Sequence, residues 1–360
     1  MQLSFLFYFP VLLAYVVIAI YAERKVSAFM QDRLGPMEAG PYGLLQTVAD
    51  LLKLIQKEDI VPTAAQRFIF LLAPLLAFTA VFAGFSVLPI GQSWQGAAIH
   101  SGIFFMLAIV SLDVMALVMI GWGSNNKFST LGTFRAAAQL LSYEVPLGLT
   151  ILTVCLLAGT LDLHAISVQQ GIHESGNSYL FGIKALGDTS AWGGIFTWNL
   201  FRYPVLLPVW LIFFIASLAE CNRAPFDLPE AESELVAGIK TEYSGFRWAI
   251  IMLAEYAMML LVSIIGAILF FGSWYSPLPN LGSVRLADWT NGTYGSWTST
   301  AWGVFWLIGK AIFFVIIQMW VRWTFPRLRI DQLMNVCWKY LVPFALLFLL
   351  LAAVWKILLV

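Results

Sequence analysis

Trp248–Phe271 reads WAIIMLAEYAMMLLVSIIGAILFF, an apolar run longer than the roughly 20 residues a helix needs to cross a bilayer, and Glu255 is its single charge. A surface helix keeps a polar face, and this stretch has none. It therefore reads as a membrane-spanning helix that carries an acid about two turns from its start.

Working outward, comparable stretches cover Leu3–Ala22, Phe68–Pro89, Gly102–Gly121, Leu147–Leu163, Phe201–Ala219, Trp302–Trp323 and Tyr340–Leu359. Hydrophobic residues make up 60% of the 360 and charged residues only 11%, with a mean hydropathy of +0.82, which excludes a soluble domain of this size. The expectation is all-α: a polytopic integral membrane protein forming one domain over residues 1–360, with about eight transmembrane helices. The fourth segment is the weakest, because Pro146 starts it and Gly148 and Gly159 dilute it.

Most of the 20 lysines and arginines fall on one side if the N-terminus is outside. Lys184, Arg202, Arg285 and Lys356 stand on the other side, and Lys310 lies within a helix. The positive-inside rule then places both termini outside, and the first segment suits an uncleaved anchor. Trp192, Trp198, Trp274, Trp289, Trp297 and Trp302 are expected in an outer aromatic belt.

Cys155, Cys221 and Cys337 are isolated, and the three histidines make no ligand pair, so no metal, haem or iron–sulfur site is expected in this chain. There is no glycine-rich phosphate loop, which argues against a flavin or nucleotide site. Formal charge is zero, so no nucleic-acid partner is expected.

The expected inner loops, Glu23–Arg67, Trp122–Tyr143, Glu220–Arg247 and Trp323–Lys339, hold most of the polar residues. In the first, Gln46, Asp50, Lys53 and Lys57 recur at helical spacing opposite leucine, valine and isoleucine, which predicts an interfacial amphipathic helix. A plain anchor and a site-lining helix fit that pattern equally, and Asp50 and Lys53, one turn apart, also suit a local pair. The third holds Glu220, Asp227, Glu230, Glu232, Glu234 and Glu242 against Arg223, Lys240 and Arg247. Carboxylates beside a bilayer are costly unless they move charge, bind something or hold a partner. Glu144 and Glu255 extend them into the membrane; pairing of these acids with Arg223, Arg247, Arg322 or Arg329 is the structural alternative.

Glu23-Arg24-Lys25, Gln31-Asp32-Arg33-Leu34-Gly35-Pro36, Gly40-Pro41-Tyr42-Gly43-Leu44-Leu45-Gln46, Ala49-Asp50 and Lys53-Leu54 together form a long pattern. With the Glu220 run, Trp122 through Glu144, and Pro326 through Lys339, it resembles the quinone-site membrane subunit of respiratory complex I, a family with bacterial and mitochondrial members. The likeness runs from Ala22 to Pro343. Departures are Cys221 for threonine, Ala231 for glycine, Lys240 for a neutral residue or histidine, and Asp113 at a small or apolar position.

The resemblance implies a quinone (ubiquinone or menaquinone) as bound substrate, with Arg24, Arg33, Asp50, Lys53 and Phe226 around its chamber. Independently of the resemblance, the carboxylates Glu144, Glu220, Asp227, Glu230, Glu232, Glu234, Glu242 and Glu255 are expected to form a proton relay behind the headgroup, because acids in and beside a low-dielectric region exchange protons as a coupled set. Reduction of a quinone consumes two electrons and two protons, and this chain holds no electron carrier. Electrons must come from peripheral-arm subunits bearing flavin and iron–sulfur clusters, with other membrane-arm subunits and lipids as further partners. The implied setting is a bacterial inner (plasma) membrane with both termini periplasmic. Two alternatives remain: the equivalent subunit of a membrane-bound hydrogenase, formate hydrogenlyase or other dehydrogenase, and a structural anchor for a hydrophilic arm. Phe226 as a buried core aromatic, and other-helix partners for Asp113 and Lys310, stay open.

Overall fold

Apolar segments of this length fold in lipid as helices, because every backbone N–H and C=O must be satisfied within the segment. The computed structural model describes residues 8–92, 94–171, 180–182, 192–229, 232–281, 284–292 and 295–359. Lys184, Glu230, Ala231 and the side chain of Glu232 lie outside that description.

The chain runs through α1 (Tyr8–Met30), α2 (Gln46–Gln56), α3 (Arg67–Phe85), α4 (Gly102–Ser124) and α5 (Lys127–Ala158). The short helices α6 (Leu163–Val168) and α7 (Asn199–Arg202) lead to α8 (Leu206–Glu220), the short α9 (Glu232–Leu235) and α10 (Gly245–Phe270). A hairpin of β1 (Asn280–Leu281) and β2 (Val284–Arg285) precedes α11 (Leu286–Asn291), α12 (Trp297–Thr324) and α13 (Ile330–Asn335). A π-helical stretch, Val336–Leu341, carries α13 into α14 (Val342–Leu359).

Among the described residues, six helices are long and apolar enough to cross a membrane: α3, α4, α5, α10, α12 and the continuous Ile330–Leu358. The helices α1 and α8 fill the other two of the eight expected segments. α1 runs past its apolar stretch through Glu23, Arg24 and Lys25. The 15 residues of α8 span only about 22 Å.

Helix α10, read from the opening stretch, is the hub, with 89% of its most apolar window buried by protein, against 17% for Ile330–Leu358. Small residues permit close approach where lipid gives no hydrophobic drive: Gly84 on α3 faces Leu261 of α10, and Gly121 on α4 faces Thr133 of α5.

The stretch Trp122–Tyr143, expected as a loop, is the end of α4 and the first half of α5. The turn between them is two residues long: Asn125 is left-handed, and the Asn126 side chain caps α5 by accepting from the Phe128 N–H. Pro146 lies inside α5 rather than at its start. Ser129, Thr133, Gln139 and Ser142, polar residues that looked like loop, are buried, and Gln139 donates to the Ala219 carbonyl at 2.8 Å. In the expected loop 323–339, α13 and the π-helical stretch are likewise helical. Trp198 and Trp274 also depart from the aromatic belt, since both are buried while Trp192, Trp289 and Trp297 are exposed.

The partner of Lys310 is backbone. Its ammonium donates to the carbonyls of Phe271 (2.6 Å), Ser273 (2.9 Å) and Tyr275 (2.7 Å), where the chain leaves α10, and sits 4.6 Å from the Trp198 ring centroid. A cation at a helix C-terminus answers the partial charge of the unpaired carbonyls there.

Candidate functional site

Five helices, α1, α2, α3, α10 and α12, and the turn after α8 line a cavity of about 860 Å³. α1 and α3 bring apolar walls such as Leu13, Val17 and Phe78, α10 brings Leu253, and the residues after α8 bring Asn222, Arg223 and Asp227. The amphipathic α2 closes it with Thr47, Asp50, Leu51, Leu54 and Ile55, so this helix is a wall.

Charge gathers where α1 turns polar. Glu23 takes Arg223 at 3.1 Å and the guanidinium of Arg322 on one oxygen, while the Tyr256 hydroxyl donates to the other at 2.5 Å. The Arg223 guanidinium lies 4.4 Å from the Tyr256 ring centroid. One carboxylate shared by two guanidiniums makes this cluster locally positive, while the lining as a whole balances four arginines against Glu23, Asp50, Asp227 and Glu255. Arg24 pairs with Asp50 at 2.5 Å across α1 and α2, so Asp50 bonds to Arg24 and not to Lys53. Arg33, also on the lining, donates to Gln31 at 2.7 Å and Ser27 at 3.3 Å.

Two residues assigned to the chamber by resemblance stand outside its lining. Lys53 is exposed on the outer face of α2, and Phe226 is buried against Tyr143, with ring centroids 5.3 Å apart.

A second, much smaller cavity, about 10 Å³, is lined by Asp113 from α4, Glu220 and Cys221 from the end of α8, and Glu255 from α10. That is close to the smallest space that holds one water molecule. Glu220 is buried, and its Oε2 has no hydrogen-bond partner among the described residues. Glu255 and Asn222 line both cavities. Glu255 also bonds to Lys240 at 2.5 Å. Glu144 accepts from the Ser111 hydroxyl and lies within electrostatic reach of Glu220, as does Asp113. Neither Glu144 nor Glu220 has an ion pair among the described residues.

The remaining acids of the run are spread around this line. Asp227 pairs with Arg327 at 3.1 Å and faces the chamber. Glu234, 59% exposed, pairs with Arg135 at 2.5 Å, and Glu242 accepts from Asn126 at 2.6 Å. Beside them Tyr243 stacks on Phe70 and donates to its carbonyl; burial pushes its phenol up, against the pull of Arg247. At the end of α8, burial likewise pushes the Cys221 thiol up.

Glu23 and Asp113 belong to the two cavities without being among the site residues expected from sequence. The signal for Glu23 is an acid beside two bases at the end of an apolar run, and for Asp113 a lone charge inside one.

Fold and site together define a class: a polytopic α-helical membrane protein whose mainly apolar chamber shares a wall with a buried group of carboxylates. The family model described as NADH dehydrogenase matches residues 3–353, and the chain belongs to that family. It is 58% identical over 357 residues to an NADH-quinone oxidoreductase H-type subunit of Cytophaga hutchinsonii, covering 98% of each chain. It is 51% identical over 338 residues to the NADH-quinone oxidoreductase H-type subunit of Chlorobium luteolum, and 49% identical over 338 residues to that of Chlorobaculum parvum. These alignments cover 94% of this chain and 84% and 87% of the relatives.

Proposed function

We propose that this chain is the membrane-arm subunit of a proton-pumping NADH:quinone oxidoreductase that encloses the quinone and passes the protonic consequence of its reduction into the membrane. The observation that carries this reading is Glu255, which stands in the wall shared by the chamber and the cavity of Asp113 and Glu220. The names of the relatives favour this reading over a hydrogenase or formate hydrogenlyase subunit.

The apolar walls from α1, α2, α3 and α10 accommodate an isoprenoid tail. The guanidiniums of Arg223 and Arg322, sharing Glu23, favour negative charge developing on the headgroup, and Tyr256 orients that carboxylate. Electrons arrive from partner subunits carrying flavin and iron–sulfur clusters. Protons and charge move from the chamber side at Asp227 and Glu255 to Glu220 and Asp113, with Glu144 next in line. Adjacent carboxylates titrate as a coupled set, so charge arriving at one displaces a proton at another. Glu234 and Glu242 continue the same run toward neighbouring subunits, and Glu230 and Glu232 join them on the sequence alone. The setting is a bacterial inner membrane with both termini periplasmic, supported by the distribution of basic residues.

The test is purification of the native complex with this chain tagged. The reading expects co-purifying flavin and iron–sulfur subunits and NADH oxidation by ubiquinone or menaquinone that a quinone-site inhibitor blocks. Partners of a hydrogenase with no NADH activity would contradict it.

A further inference from the structure

Lys240 closes the 3-10 turn Gly238–Lys240, which packs against α4 and α5 and is fixed to α5 by the Ser129 hydroxyl donating to the Ile239 carbonyl at 3.0 Å. From that turn its ammonium reaches α10, 2.5 Å from Glu255 Oε1 and 3.1 Å from Met252 Sδ. The side chains of the pair are only 7% and 19% exposed. A buried ion pair is weak as a stabilising device, since desolvation cancels much of the attraction. Its place is more telling than its strength.

Glu255 is the acid that borders both cavities. A glutamate on a helix has several rotatable bonds, and a carboxylate at a partition has no fixed direction unless something holds it. On the acid-cavity side it faces Asp113 from α4, Glu220 at the end of α8, and Cys221 and Asn222 just after it, all acidic or neutral, while the chamber side carries both signs, Glu23 and Asp227 with Arg24, Arg223 and Arg322. The ammonium comes from the turn instead.

We propose that Lys240 is a positioning residue of the proton relay, holding the Glu255 carboxylate at the partition between the chamber and the acid cavity. The inference rests on the relay reading above. Lys240 does not line either cavity, so it acts through Glu255 and touches no substrate. Each transfer across the partition then passes through a carboxylate of fixed direction.

The experiment uses the intact complex in proteoliposomes, with Lys240→Met, Lys240→Arg, Glu255→Gln and the double variant Lys240→Met/Glu255→Gln. Assembled complex is counted by NADH oxidation with a water-soluble acceptor reduced at the hydrophilic subunits, so loss of folding is separated from loss of turnover. Lys240→Met is expected to lower quinone-dependent kcat about tenfold, the factor carried by one charge-assisted hydrogen bond, with the quinone KM unchanged. Lys240→Arg recovers most of the rate, and the double variant is no slower than the slower single. Wild-type kcat in Lys240→Met beside a slow Glu255→Gln would overturn the role of Lys240 and leave the relay standing. Wild-type kcat and pumping in Glu255→Gln would instead remove the relay reading. Losses that add in the double variant, with Lys240→Arg as slow as Lys240→Met, would reduce the pair to a structural tie and overturn the proposal.

Discussion

The hydroxyl of Tyr256 on α10 donates to Glu23 Oε2 on α1 at 2.5 Å, and this bond closes a cluster in which two arginines share the other carboxylate oxygen. The cluster sits on the chamber lining and joins α1, α10, α12 and the turn after α8.

Replacing Glu23 with Gln leaves Arg223 and Arg322 facing each other without their carboxylate. Removing one partner of a buried pair costs about 3–5 kcal/mol, so assembly or thermal stability should fall sharply. Tyr256→Phe removes one hydrogen bond to a charged group, about 1.5–3 kcal/mol. Thermal unfolding of the purified complex measures both, with Glu23→Gln the more severe.

Arg24 and Lys53 separate lining from surface. Arg24→Ala frees Asp50 and changes the chamber wall, so the quinone KM should rise about tenfold or more, on the order of one charge-assisted bond. Lys53→Ala alters an exposed side chain off the lining, so its effect should stay within about 0.5 kcal/mol. A titration of turnover against a short-chain quinone distinguishes them.

Burial raises the pKa of Cys221, with Arg223 opposing and Glu220 adding to the rise. The neutral thiol therefore persists to higher pH than usual. The side chain is also buried from any reagent, so at pH about 8.5, where an ordinary cysteine is roughly half thiolate, Cys221 in the native complex should alkylate far more slowly than a cysteine peptide. Its rate should climb only at higher pH and match the peptide after denaturation. Mass spectrometric mapping of the modified cysteines gives the readout.

Lys310→Met strips three backbone carbonyls of their donor at the exit of α10. The expected loss is on the order of 3 kcal/mol or more, seen as a lower Tm while the acids around Glu220 and Glu255 remain in place.

The apolar runs made the spanning helices legible, and α10 with Glu255 could be read almost as it stands. The first half of α5 could not, because Thr133, Gln139 and Ser142 are polar yet buried between helices, and hydropathy alone reads such residues as loop. Motif resemblance drew Arg24, Arg33 and Asp50 together, and all three line the chamber. It said nothing of side-chain direction: Lys53 shares a helical face with Asp50 in sequence but faces solvent, and Phe226 turns to Tyr143. Asp113 needed a third dimension, since only the folded bundle brings α4 to the cavity that Glu220 and Glu255 also line.

The most direct measurement is the rate of quinone-dependent proton translocation, with the turnover and the protons moved per NADH read alongside, in the reconstituted complex carrying Glu220→Gln, with Asp113→Asn beside it. The account predicts that quinone-dependent proton translocation falls at least about tenfold, while NADH oxidation by a water-soluble acceptor continues at the wild-type rate. Unchanged turnover and an unchanged proton ratio in both variants would contradict a relay through these carboxylates.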